Sequence, residues 1–419
     1  MWSFETDPEF AKELMWMREF VDERILPLEV VKLDNESRKM AFAPLQEAVK
    51  ERGLWAAHLD PHHGGQGFGQ LKFGLMQEVT GRSPIAGMAF GTEAPDAGNS
   101  EILAMHGTEE QKEKYLEPML AGLLNSAFAM TEPNAGADPT MLETSAVKVD
   151  GGWRVNGVKY FIRNASVADF MIVMVVTDPD ADRYHRASEL IIDCGSPGLD
   201  ITREIGSMEN PEPEYGLIYN HAEVVFNDVF VPESAMLGQR GEGFTVAQQR
   251  LGPGRIHHSM RWIGQASRAF DMLCERVTYR SSHGSILAEK QTIQNFIADS
   301  WSQIHAARLM TLHAAWKIDT HGVAAARTEI SAIKYVGAGM LHDVIDRALQ
   351  VHGVLGFSSD LPLESMYRHA RAARIYDGPD EVHRQVLAKQ VLKGYRPPAD
   401  GIPTEHIPTR LKKAGSRFG

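Results

Sequence analysis

The sequence predicts an α+β protein in which an N-terminal helical domain, a middle β domain and a C-terminal helical domain follow one another. Three observations predict it. Apolar residues recur at three- and four-residue steps through residues 1–123, alternate with polar residues across 124–240, and return to the helical period over 241–395. With 419 residues, 43% of them hydrophobic, the chain can bury a large core spread over two or three units.

In the first segment the helical stripe runs through Phe20, Leu26 and Leu45, and Gly and Pro concentrate near 61–69, which marks a loop. In the second, Val147 and Val149, then Trp153 and Val155, alternate around Asp150-Gly151-Gly152, and Asn156-Gly157 precedes Val158 and Tyr160. Both dipeptides are hairpin signals. Phe170–Val176, Leu190–Ile192 and Val224–Val231 are further predicted strands. In the third, Leu309, Leu312 and Trp316 form one core stripe and Ile333, Val336, Met340 and Val344 another. Residues 396–419, rich in Pro, Lys and Arg, read as a solvated tail or an inter-subunit strap.

Composition removes several classes of function. Lys plus Arg number 43 against 55 Asp plus Glu, a net charge of −12, which argues against nucleic acid and anionic membrane surfaces as partners. Two cysteines, Cys194 and Cys274, suit neither a disulfide framework nor a zinc site. The N-terminus has no charged n-region or apolar h-region, Phe170–Val176 is too short to cross a bilayer, and the C-terminus lacks S-K-L. A cytoplasmic protein is expected. Gly65-Gln66-Gly67-Phe68-Gly69 lacks the spacing of a dinucleotide fingerprint, and no zinc helix, Walker loop or nucleophile elbow is present. His257 and His258 diverge by about 100° on a helix and read as ordinary helix histidines, not metal ligands.

The remaining chemistry concentrates in Ala373–Arg384, where a lone carboxylate, Asp377, sits at a chain turn immediately before a helix start. Gly378 allows a tight backbone approach, Pro379 suits the first helical position, and Asp380 and Glu381 suit the positive end of the helix dipole. Asp377 is therefore a candidate catalytic base; the bland reading is a helix cap.

Ile375-Tyr376-Asp377-Gly378, with Arg384, resembles the active-site signature I-Y-E-G-x-x-x-x-x-R of the acyl-CoA dehydrogenase family, with Asp377 where that family commonly carries glutamate. Thr131-Glu132-Pro133-Asn134-Ala135-Gly136-Ala137-Asp138 resembles its flavin loop T-E-P-x-A-G-S-D, and Gln350-Val351-His352-Gly353 its Q-x-x-G turn. With further matches at Gly107–Leu116 and Pro61–Gly67, the likeness covers about residues 1 to 395. It implies a β barrel between two helical domains, the second a four-helix bundle, with FAD held between the β domain, the C-terminal helices and a neighbouring subunit of a homodimer or homotetramer.

Carried over by that resemblance, Phe128, Met130, Thr131, Gly136, Ala137, Phe161, Ile162 and Arg163 would contact FAD. Arg280, His283 and Gln291 would do so from the dimer partner, Gln350 and Gly353 at the pyrophosphate and ribose, and Pro379 and Glu381 near the adenosine half. Ala137 and Arg163 each replace a residue that usually offers a hydroxyl, and Val354 replaces a second glycine. Arg255 and Gly378 fall on the substrate side, and Gly254 stands where some branches carry the base. The implied reaction is α,β-dehydrogenation of an acyl-CoA to the trans-2-enoyl-CoA, with Asp377 as base, flavin N5 as hydride acceptor and electron-transferring flavoprotein as partner. Leu251–His258 and Ile375–Glu381 are similar to the subgroup that eukaryotes fuse to a phosphotransferase-like domain, which is associated with branched or hydroxylated acyl chains. Two other readings share the fold: a nitroalkane oxidase, which uses an aspartate base, and a non-catalytic DNA-associated flavoprotein.

Overall fold

The computed structural model describes residues 4–398 and 400–418; the first three residues of the segment read for a targeting signal, with Ala399 and Gly419 of the tail, lie outside the described residues. Helices fill the chain up to residue 120. Helix α1 (Pro8–Phe20) starts on Asp7, whose carboxylate accepts the N–H groups of Glu9 and Phe10. After it come α2 (Asn35–Glu51), α3 (Gly69–Thr80), α4 (Ala86–Phe90), α5 (Asp96–His106), α6 (Glu109–Gln111) and α7 (Glu117–Leu120). Phe10, Phe20, Phe42, Leu45, Phe73 and Phe90 close one core among them, with Leu26 packed against it.

Strands β1 (Ser126–Ala129), β2 (Ser145–Val149), β3 (Gly152–Arg163), β4 (Phe170–Val176), β5 (Ala187–Asp193), β6 (Leu199–Glu204), β7 (His221–Pro232) and β8 (Met236–Leu237) form one sheet in the order β6-β7-β3-β2-β4-β5-β8, with β1 parallel to β4. No hydrogen-bonded pair among the described residues joins β6 to β8, so the expected barrel stays open. Every residue of β4 is apolar because both of its faces are covered. Met171, Val173 and Val175 enter the core of the middle domain, while Phe170 and Ile172 pack against Ile102, Leu103 and Leu116 of the N-terminal helices.

Asp150-Gly151 makes the expected turn between β2 and β3, with Gly151 at φ 74°. Asn156-Gly157 does not turn the chain. It lies inside β3 at a register shift against β7, and a Cβ on Gly157 would stand 2.4 Å from Thr144 Oγ1, so the glycine serves a bulge and a close contact.

Three long helices, α8 (Gly243–Tyr279), α9 (Gln291–His321) and α10 (Arg327–His352), pack on one another. After the short α11 (Val354–Phe357), α12 (Leu363–Ala372) and α13 (Asp380–Leu392) pack on α10 in the place of a fourth long helix. Ile333, Met340 and Val344 are buried as expected, but on α9 it is Ala307, Thr311, Ala314 and Ile318 that face inward. Leu309 and Trp316, expected in the core, are 37% and 38% exposed. A helix α14 (Ile407–Phe418) forms within the segment expected to be a solvated tail.

Candidate active site

Asp377 occupies the bend between α12 and α13, in the left-handed region at φ 54° and followed by Gly378 at φ 95°. Asp and Asn tolerate that region better than other non-glycine residues. Three donors pin the bend: Arg255 Nε and Nη2 donate to the Asp377 carbonyl at 3.2 and 3.1 Å, and His383 Nε2 at 3.0 Å. A Cβ on Gly378 would come within 2.9 Å of that His383 nitrogen, so position 378 requires glycine for space as well as for φ. Pro379 is the N-cap of α13, one residue earlier than expected, and Asp380 and Glu381 form its first turn.

The Asp377 side chain is 21% exposed, and its Oδ2 lies 3.0 Å from His258 Nε2. Burial alone would raise its pKa, but the hydrogen bond from His258 and the guanidinium charges of Arg255 and Arg250 together hold it well below the usual carboxylate range. It is an ionised carboxylate. Burial, reinforced by Arg261 and opposed by Asp377, pulls His258 below its ordinary value. Burial likewise takes His383 down to about 4.

Helix α8 supplies most of these groups. Arg255, His258 and Trp262 recur at steps of three and four and so share a face. Trp262 Nε1 donates to the Tyr376 hydroxyl at 2.8 Å, and the His258 and Tyr376 rings lie 5.1 Å apart. Arg250 donates to Asn99 Oδ1 at 3.0 Å and covers the Phe128 ring at 4.2 Å, linking α8 to α5 and β1. Two carboxylates face Arg250, half-buried Glu101 and fully buried Glu189, both pushed up to about 8 by desolvation. Behind the bend, buried Lys334 lies 3.9 Å from Asp380, whose other oxygen accepts Arg374 Nε at 2.8 Å.

A second group of predicted residues lies along β1 and the end of β3. Lys159 Nζ donates to Met130 O at 3.0 Å and to Glu132 at 2.8 Å, and Glu132 also accepts the N–H groups of Glu143 and Thr144. This fully buried pair anchors the loop that carries Thr131, Gly136 and Ala137. Ile162 is buried, Arg163 pairs with Glu93 at 3.3 Å and lies over the Tyr219 ring, and Phe161, at φ 59°, leaves 46% of its surface exposed. An exposed aromatic ring at a sheet end, beside a loop whose Gly136 has nothing within 4 Å of its Cβ position, fits a planar heterocycle such as the flavin.

Gln350 and Gly353 are exposed at the end of α10, and Arg280, His283 and Gln291 are exposed around the short hairpin joining α8 to α9. Neither set contacts the Asp377 cluster among the described interactions. Glu381 is exposed and Pro379 half-buried on α13. Sequence reasoning missed His258, Arg250, Arg261, Trp262, Glu93, Lys334 and the Glu132–Lys159 pair. The spacing of 255, 258 and 262 was the available signal for His258 and Trp262, since it puts both on the face of α8 that carries Arg255.

Comparison with known proteins agrees in all three regions. Family models match as acyl-CoA dehydrogenase N-terminal domain over residues 12–123, middle domain over 127–229 and C-terminal domain over 241–392. The chain is 41% identical over 354 residues to the probable acyl-CoA dehydrogenase FadE2 of Mycobacterium tuberculosis, covering 83% of this chain and 84% of that one. It is 34% identical to human acyl-CoA dehydrogenase family member 11, covering 91% of this chain but only 50% of that longer protein. Among solved structures, a putative acyl-CoA dehydrogenase from Mycobacterium abscessus superposes with a TM-score of 0.87 at 35% identity, covering 94% of this chain and all of that one. Butyryl-CoA dehydrogenase from Megasphaera elsdenii does so with a TM-score of 0.81 at 29% identity, covering 93% and 100%.

Proposed function

The chain belongs to the acyl-CoA dehydrogenase family, an oxidoreductase family whose cofactor is FAD, and from that premise we propose that it oxidises an acyl-CoA thioester to the trans-2-enoyl-CoA with Asp377 as the base. The observation that carries the reading is a half-buried, ionised carboxylate fixed at a pinned bend against α8. FAD bound beside Phe161 and the Thr131–Asp138 loop supplies the hydride acceptor. Asp377 takes the proton from the carbon next to the thioester carbonyl, and its backbone N–H meets the carbonyl oxygen as negative charge develops there. Arg255 fixes the bend by binding the Asp377 carbonyl, so its role is to keep the base in place beneath the thioester. The tight turn at Gly378 leaves room for that approach. The acceptor of the electrons in this reading is electron-transferring flavoprotein, and the working form is a homodimer or homotetramer.

Anaerobic titration of the FAD-loaded protein with a panel of acyl-CoAs tests this directly. At least one should bleach the oxidised flavin band, and in air the same acyl-CoA should cause no rapid oxygen uptake. Asp377→Asn should keep FAD and ligand binding yet lose about 10²- to 10⁴-fold in the rate of reduction. Undiminished reduction in that variant would sink the assignment. The aspartate also suits a nitroalkane oxidase; reduction by nitroethane with oxygen consumption, and no response to any acyl-CoA, would favour that reading instead.

A further inference from the structure

Arg261, almost one turn beyond His258 on α8, donates from Nη2 to His258 Nδ1 at 2.9 Å. A guanidinium has no acceptor, so Nδ1 must be the bare ring nitrogen and the ring hydrogen must sit on Nε2. That hydrogen faces Asp377 Oδ2 at 3.0 Å. We propose that His258 is a positioning residue for Asp377: locked as an Nε2–H donor by Arg261, it holds one carboxylate oxygen and turns the other toward the substrate. The inference rests on the reading of Asp377 as the base.

The imidazole is itself clamped. Arg261 Nη1 donates to Gln77 Oε1 on α3 at 3.1 Å, so the guanidinium that fixes the tautomer is fixed from its other side. Tyr376, tied to Trp262, closes over one side of the ring, and Trp262 lies 6.0 Å away on the helix. The bend itself cannot swing, because Arg255 and His383 hold its carbonyl. With the backbone pinned, the remaining freedom of Asp377 is rotation about its side-chain torsions, and a single hydrogen bond to one oxygen removes most of it. When the Cα–H bond breaks, its electron pair stays on carbon and the proton goes to the free Oδ1; His258 keeps its hydrogen throughout.

The charged and titratable groups facing the pair come from every element around it. Arg250, Arg255, His257 and Arg261 lie on α8, Glu93 precedes α5, and Arg163 ends β3. Lys334 comes from α10, His383 from α13, and Tyr376 adjoins Asp377 in the bend. Cations dominate this shell. They favour an anionic Asp377 and oppose a second positive charge on His258, which is the protonation pattern the hydrogen-bond directions require.

Two measurements on the FAD-loaded protein test the proposal. Nitrogen NMR of the histidine-labelled protein should show a neutral Nε2–H imidazole that is perturbed in Asp377→Asn and absent in His258→Gln. An imidazolium at pH 7, or the Nδ1–H tautomer, overturns the proposal whatever the catalytic data show. In anaerobic flavin reduction by the best acyl-CoA of the panel, His258→Ala should slow the limiting rate about tenfold while the half-saturating concentration changes less than twofold. His258→Gln, which keeps a donor amide, should recover most of that loss. A rate unchanged in His258→Ala, or a loss confined to half-saturation, overturns the positioning role. If Asp377→Asn reduces normally, it is the base assignment that has failed, while the NMR result still reports whether His258 donates to Asp377.

Discussion

Glu189 on β5 is completely buried, and neither of its carboxylate oxygens has a hydrogen-bond partner among the described residues. Burial pushes it up to about 8, so across the interval from about 4.5 to 8 the folded chain keeps a proton that the unfolded chain releases. Stability must therefore fall as pH rises through that window, by up to about 1.4 kcal/mol per pH unit from this one group. Glu101, shifted the same way, adds an equal slope. Between pH 5.5 and 7.5 the unfolding free energy of Glu189→Gln, measured by urea titration, should gain on that of the parent by up to about 1.4 kcal/mol per pH unit; a difference that does not change with pH would refute the assignment. The Glu132–Lys159 pair makes the opposite case, a buried ion pair with its hydrogen bonds satisfied. Glu132→Gln should cost about 3 to 5 kcal/mol by leaving Lys159 buried and uncompensated, read as a fall in thermal midpoint. Of these groups the sequence announced Asp377, because a turn and a helix start mark it locally. Glu189 and Lys159 carry no local mark; their burial follows from strands that meet only in the folded sheet.

At the scale of elements, the site depends on how closely α3 and α8 cross. A Cβ on Gly264 would stand 2.1 Å from the Glu78 carbonyl oxygen, and one on Gly81 would stand 2.4 Å from the Arg261 Cα and carbonyl oxygen. Two glycines, one capping the end of α3 and one on α8, thus seat Arg261 where it reaches Gln77 and His258. Gly264→Ala must push backbone against backbone, so it should destabilise the protein by about 1 to 3 kcal/mol or more and slow flavin reduction as well. Scanning calorimetry beside the anaerobic assay checks both, and a variant as stable as the parent would show that the crossing is loose. The long helices and β4 were legible because their apolar periods persist over many residues. Strands β1 and β6 were missed because four residues in one and an exposed, largely polar edge in the other leave too little alternation. The stripe of Leu309 and Trp316 was misread because period alone does not say which face of a helix meets the core, and α9 turns its small residues inward.

For the whole molecule, the charge of −12 sets what the surface attracts. Retention on duplex DNA at moderate salt should be absent, and a salt-sensitive complex would revive the DNA-associated reading. The exposed placement of Arg280, His283 and Gln291 suits residues that act on a neighbouring protomer. On that reading Arg280→Ala should weaken FAD retention several-fold, and dilution of the native protein should release FAD as protomers separate. Equilibrium dialysis against free FAD at decreasing protein concentration measures both; retention independent of concentration would place the cofactor within one chain. No helix among the described residues is long and apolar enough to cross a membrane.

The left-handed backbone at Asp377 also limits how this enzyme can be re-engineered. Lengthening the side chain in place to glutamate puts a less tolerant residue on that conformation and displaces the acid group from its present berth. Transplanting it is the gentler route. Gly254, on the helix beside Arg255, has an empty Cβ position with nothing within 4 Å, so Gly254→Glu added to Asp377→Asn should restore part of the lost flavin bleaching. The same scaffold would then approach the substrate from a different helix, turning acyl-chain preference into something that can be redesigned by relocation.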